Sequence, residues 1–298
     1  MTVDHVDVPY LRRAGKELLA RVWNPPGGTP VRGVVLDVHG GAWCDLDRRA
    51  GSHYDAALAS AGFSVVAVDF RCGPEHQHPD ASTDVCAAAH WARLRAERLI
   101  GDGRPVISIG SSSGGHLALL AALRPHSTDD QATELYLDGK WEEQESIDGR
   151  VTGVAALWAP VDPAARYRYA RSLNTDLGKR LTDNTEAYFG SEKSMTDACI
   201  SRIVTEETTA QLPNVWFARA GRDENVPPEM VENGVPPLCL QGCIIRSRLE
   251  ILLSLARSEN ESGSQGSHFR VPVRSEKWDP AENQVPVRAG AGSQFGSQ

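Results

Sequence analysis

ISIGSSSGGHLALLAAL, residues Ile107 to Leu123, leads an apolar run into a run rich in leucine and alanine across a knot of small residues, Gly110-Ser111-Ser112-Ser113-Gly114-Gly115. The first run reads as a buried strand and the second as a helix. Between them Gly-x-Ser-x-Gly is centred on Ser112. That pattern has mechanical meaning only when a strand precedes it and a helix follows, and both are expected here. A serine forced into so tight a turn needs small residues two places before and two after it. The turn lifts its Oγ out of the sheet and aims the next N–H at the reaction centre. A glycine-rich phosphate turn is the competing reading, but no lysine follows the glycines and no G-x-G-x-x-G is present.

The patterns on either side set the fold class. HVDVPY and ELLARVWNP alternate apolar and polar residues around RRAGK, as an antiparallel hairpin does. VRGVVLDVHGG, FSVVAVDFR, PVISIGSS, VTGVAALWAP and PNVWFARAG read as buried strands. HYDAALASAG, closing on Gly62, and DASTDVCAAAHWARLRAERL have helical spacing. Strands buried on both faces and alternating with helices predict an α/β fold with a mostly parallel central sheet flanked by helices.

Two segments interrupt the alternation. Arg124 to Arg150 is polar and acidic, and is expected to be a surface excursion. Residues 161–212 look helical in pieces and fall between two strands. An insertion there would lie over the carboxyl ends of the strands, where ligands bind in open α/β sheets, so a small helical cap is expected. The α/β domain is expected over residues 1–233. From 234 to 298 the pattern changes to an atypical segment with one helix-like piece, Ile244 to Arg257, and a tail of extended or disordered composition.

The chain has 298 residues, a net charge of −8 and 41% hydrophobic residues. Nucleic acid and anionic membrane surfaces both want a basic patch, so neither is an expected partner. No basic start followed by an apolar core marks a signal peptide, and no apolar run approaches the roughly 18 residues of a membrane span. Six cysteines are scattered singly except for Cys239 and Cys243, whose spacing has no second pair for zinc. Buried thiols in a reducing cytoplasm are the expectation, with no metal and no organic cofactor.

Two further stretches carry chemistry. HGGAW, His39 to Trp43, ends a strand in glycines whose N–H groups no Cβ shields, which suits an oxyanion. His39 itself is expected to anchor that loop. ARAGRDENVP places Asp223 after the last clear strand, where an acid can orient a histidine; Asp162, in WAPVDP, is the rival and Glu224 a lesser one. The chain order Ser…Asp…His favours the late acid.

HGGAW, DFRCGPEHQHPDASTDVCAAAHWAR, GSSSGGHLALL, APVDPAARYRYA and AGRDENVPPEM together resemble the α/β-hydrolase esterase/lipase family with an HGG oxyanion loop. That family includes hormone-sensitive-lipase-like carboxylesterases and related formamidases. The resemblance runs from about Val31 to Met230. It implies Ser112 as nucleophile, Asp223 as acid, and an oxyanion hole from Gly41, the neighbouring Gly40 or Ala42, and the N–H of Ser113. Asp69 and Arg71 would brace the loop behind the site.

The resemblance also implies a late histidine on a loop after one more strand. Of nine histidines only His268, in SQGSHFRVP, lies beyond Asp223. The strand that should deliver it is poorly written, since CIIRSRLEILL reads more like a helix. The change near Gly234 is as abrupt as a shifted reading frame or a recombined end would make it. The expected activity is hydrolysis of a small carboxylic ester through an acyl-serine, with amides or formamides as a close variant. Without an imidazole within reach, the alternative is an impaired or non-catalytic protein that binds a small apolar ligand.

Overall fold

A computed structural model describes residues 3–13, 15–101, 103, 105–128, 132–206, 213–218, 223–227, 230 and 244–246, the last three as backbone only. All fall in one compact unit, Met1–Ala256. The chain opens with the expected hairpin, β1 (His5–Arg13) and β2 (Lys16–Trp23). There follow β3 (Val34–Val38), α1 (Ser52–Ser60), β4 (Ser64–Val68), α2 (Asp80–Ile100), β5 (Val106–Ser111) and α3 (Ser113–Leu123).

β3 and β4 are buried at every residue, as parallel strands covered on both faces must be. Their side chains divide by the period of two. Val34, Leu36 and Val38 join the cluster that includes α2 and α3, whereas Val35 joins Ala59 of α1 on the other face.

After α3 come β6 (Glu134–Leu137), β7 (Lys140–Glu143) and β8 (Gly153–Leu157). The sheet continues through β9 (Asn214–Ala218) and β10 (Ile244–Arg246), in the order β10-β9-β8-β5-β3-β4-β2-β1-β6-β7. From β10 to β4 the neighbours are parallel, which brings the carboxyl ends of β3, β5, β8 and β9 to one edge.

Two expectations need correcting. The polar stretch after α3 is not a mere surface excursion: β6 pairs antiparallel with β1 and extends the sheet. Leu135, Leu137 and Ile147 are buried there, and Trp91 Nε1 donates to the Tyr136 carbonyl at 2.8 Å. Two buried leucines, with Ile147 just beyond the hairpin, suffice to seat it while its outer strand stays polar. The second correction concerns Ile244–Arg246, expected at the start of a helix. It is a strand, paired in parallel with Trp216, Phe217 and Ala218, and it carries the sheet beyond residue 233. β-branched residues offered to an open parallel edge outweigh a weak helical spacing.

The segment expected as a cap contains α4 (Pro163–Ser172), α5 (Asp176–Phe189), α6 (Glu192–Asp197) and α7 (Ile200–Glu206). The breaks between them follow local chemistry. Asp162, Thr175 and Ser191 are side-chain N-caps, and Gly190 ends α5 in the left-handed region at φ 69°. No helix among the described residues is long and apolar enough to cross a membrane.

Candidate active site

Ser112 sits between β5 and α3 with φ 51° and ψ −124°, a backbone strain of about 1–3 kcal/mol for a residue with a Cβ. Its N–H donates to the Leu157 carbonyl at 2.8 Å and its carbonyl accepts from His116 N at 3.3 Å. The flanking glycines are sterically required. A Cβ on Gly110 would stand 2.5 Å from the Gly114 carbonyl carbon, and one on Gly114 would collide with the carbonyls of Val38 and His39.

The second of those collisions shows that the HGG loop passes directly over the turn. A Cβ on Gly40 would lie 2.9 Å from the Ser111 carbonyl and 3.4 Å from Ser112 Cβ. Gly41 has φ +105°, and a Cβ there would strike the Asp45 carbonyl. Its own carbonyl accepts from Cys44 N at 3.1 Å and Asp45 N at 2.8 Å. Those bonds curl the loop, and no described residue accepts from the N–H of Gly41 or Ala42. Ser113, first residue of α3, has no intrahelical acceptor for its N–H. With Gly40 as the alternative to Ala42, these are the donors that the resemblance implies for the hole.

His39 anchors the loop, as expected. It is buried, its Nδ1 lies 2.8 Å from the Gly40 carbonyl, and its ring stacks on Phe70 at 4.2 Å. Burial depresses its pKa and keeps it neutral. Trp43 is a contributor the sequence did not reveal. Its N–H donates to Ser113 Oγ at 3.2 Å and its Nε1 to His116 Nδ1 at 3.3 Å. That fixes the His116 proton on Nε2, which meets the Ala198 carbonyl at 2.9 Å. Burial pushes His116 down to about 3, so it is a neutral bolt between the loop, α3 and the segment ahead of α7.

Behind the loop, Asp69 accepts from Arg48 Nη1 at 2.7 Å. Arg71 is paired with buried Asp84 through Nε at 2.8 Å and Nη2 at 2.9 Å. Both are bracing contacts, as the resemblance implies.

The acids separate cleanly. Asp162 caps α4, accepting from Ala165 N at 2.9 Å, so it is used by the helix. Glu224 is exposed. Asp223 stands beyond the end of β9, half-buried, with Oδ1 accepting from Asn225 N at 2.8 Å and Val226 N at 2.9 Å. Its Oδ2 has no partner among the described residues. One oxygen locked and one available is the arrangement an acid needs to orient an imidazole.

His268 lies outside the described residues. The other eight histidines have places of their own. His39 and His116 are bolts, His76 pairs with Asp80, and His90 and His126 meet the Asp148 and Ile147 carbonyls. His5 packs at a tilt against Trp23, His53 meets Tyr54 edge-on, and His78 lies among Tyr188 and Phe189. The sequence also missed Arg166, which joins α4 and α5 to Asn225. Its signal was present: the buried positions of α4 are Pro163, Ala164, Arg166, Tyr167 and Ala170, a helical stripe with one arginine in it.

The BD-FAE family model matches residues 22–232, strand β2 through the Asp223 loop. The chain belongs to the BD-FAE family. It is 27% identical over 235 residues to Esterase LipC of Mycobacterium tuberculosis, an alignment covering 76% of this chain and 49% of LipC. It is 26% identical over 229 residues to an arylesterase of Saccharolobus solfataricus, covering 74% and 69%. The chain thus spans about half the length of LipC. Among solved structures, the carboxylesterase EstE1 from a metagenomic library aligns with TM-score 0.61 at 21% identity, over 83% of this chain and 79% of that one. Esterase B of Lactobacillus Rhamnosis aligns with TM-score 0.59 at 19% identity, over 77% and 68%. These share its fold, which is the α/β-hydrolase fold.

Proposed function

We propose that this chain is a serine hydrolase, a carboxylesterase acting on small carboxylic esters. The observation that carries the reading is the strained Ser112 turn with the Gly40–Gly41 backbone laid against it. In this reading Ser112 Oγ attacks the ester carbonyl as an imidazole takes its proton. The N–H groups of Gly41, its neighbour Gly40 or Ala42, and Ser113 hold the oxyanion. The alcohol leaves with the proton, and water then releases the acid from the acyl-serine. Asp223 orients the base through Oδ2. His268, the histidine that follows Asp223 in the chain, is assigned as that base. A formamide or amide would pass through the same steps.

The relatives' names, esterase and arylesterase, support the ester class. The helices between β8 and β9 serve as the cap that selects acyl and alcohol groups. Free Cys44, Cys72, Cys86 and Cys199 fit a reducing cytoplasm.

The test is hydrolysis of p-nitrophenyl acetate and butyrate by the full chain beside Ser112→Ala and His268→Ala. Loss of activity by about 10³-fold or more in both variants is expected. Activity surviving in Ser112→Ala would refute the nucleophile, and activity surviving in His268→Ala alone would refute only the base.

A further inference from the structure

Arg166 is 1% exposed, and its guanidinium touches three separate parts of the site. Nη2 donates to Asn225 Oδ1 at 2.8 Å, and Asn225 N is one of the two donors holding Asp223. Nη1 donates to Thr185 Oγ1 at 3.1 Å, on α5. The guanidinium carbon stands 5.7 Å from the centre of the Trp43 ring, in the oxyanion loop.

These contacts are all to neutral groups. No described carboxylate pairs directly with Arg166, and its Nε has no partner among the described residues. Burying a guanidinium among neutral dipoles is costly, and natural folds rarely do so without a use for the charge. Two charged groups face it. Burial first, and Arg180 on α5 second, pull its pKa down to about 10, while Asp223 in the acid loop opposes them. From the oxyanion loop it meets only the neutral Trp43 ring. Arg166 therefore stays protonated at neutral pH, bonded to the loop that carries Asp223 and within reach of its field.

We propose that Arg166 is a positioning residue for the acid–base pair, tying the Asp223 loop to the oxyanion loop and setting a positive charge beside Asp223. The inference rests on the esterase reading. It has two separable consequences. The hydrogen bonds to Asn225 and Thr185 fix where Asp223 stands, so their loss lowers kcat. The charge opposes formation of imidazolium on the base, so it holds the acidic limb of kcat/KM at lower pH. A solely structural arginine would affect folding and would leave that limb where it is.

The experiment is the pH profile of p-nitrophenyl acetate hydrolysis, pH 5 to 8, for the wild type, Arg166→Met, Arg166→Lys and Asn225→Ala, with thermal melts of each. Arg166→Met is expected to move the acidic limb up by about 0.5–1 pH unit. Arg166→Lys should restore the limb but not kcat, which stays down by about 10-fold. Asn225→Ala should lower kcat with the limb unmoved.

Should Arg166→Met fail to fold, unchanged kcat in both Arg166→Lys and Asn225→Ala would overturn the proposal. So would a limb that does not move in a folded, active Arg166→Met. A wild type no more active than Ser112→Ala would instead bring down the esterase reading, and this inference with it.

Discussion

Asp37 on β3 and Asp55 on α1 are buried carboxyls with almost nothing to ionise against. Asp37 Oδ1 accepts from Tyr54 OH at 2.7 Å, but its Oδ2 and both oxygens of Asp55 have no partner among the described residues. Burial pushes Asp37 up to about 7 and Asp55 up to about 8, the latter aided by the negative field of Asp37. A folded-state pKa above the unfolded one means that the folded chain holds the proton longer. Stability is then greatest below the ordinary carboxylate value, falls as pH rises, and levels off above the folded value. For Asp55, the interval from 3.8 to about 8 sets a ceiling of about 6 kcal/mol at 1.36 kcal/mol per unit. Relaxation and entry of water reduce the expected loss to about 2–3 kcal/mol. Asp55→Asn keeps the size and removes the titration. Urea unfolding at pH 4.5, 6, 7.5 and 9 should show the variant level with the wild type in acid and ahead of it by that amount at pH 9. A gap independent of pH would refute the reasoning.

Two other substitutions bear on the site itself. Gly41→Ala places a Cβ against the Asp45 carbonyl in a backbone at φ +105°. The loop must then move, and kcat should fall by about 10²–10³-fold with KM little changed; steady-state kinetics on a short-chain ester checks this, and a loss under threefold would count against the oxyanion assignment. The rival acids should part company: Asp162→Ala loses a helix cap worth about 1 kcal/mol in a thermal melt and keeps its activity, whereas Asp223→Asn keeps its melt and loses about 10⁴-fold in kcat.

The sheet's parallel core was legible because its strands β3, β4, β5, β8 and β9 are short apolar runs bounded by glycine or proline, and the elbow because Gly110 and Gly114 have no room for any other residue. What escaped notice was decided by contacts distant in sequence. Trp43 in HGGAW reads as an aromatic in a loop, and only the fold shows its two N–H groups reaching Ser113 and His116. The β6–β7 hairpin is polar by composition, and two buried leucines outweigh the rest once β1 offers an edge. β10 is three residues long, too short for any periodicity to register. Asp162 and Asp223 look equivalent as strand-end acids; the difference is that Pro163 starts a helix after one and an Asx turn follows the other.

The site stores strain in two backbones that face each other. Ser112 has φ 51°, and Ala42 and Trp43 across from it have φ 50° and 64°. Residues with side chains keep such angles only where their surroundings leave no alternative. Ser112 is pinned by Leu157 and by the close-packed glycines. Ala42 and Trp43 are pinned by Ser113 Oγ, by His116, and by Tyr188 and Phe189 at the end of α5. The last of these pins belong to the inserted helices, so the segment that would choose the substrate also maintains the backbone that would stabilise its oxyanion. Shortening that insertion should therefore cost kcat as well as specificity, because the N–H groups of Gly41 and Ala42 have no rigid frame without it.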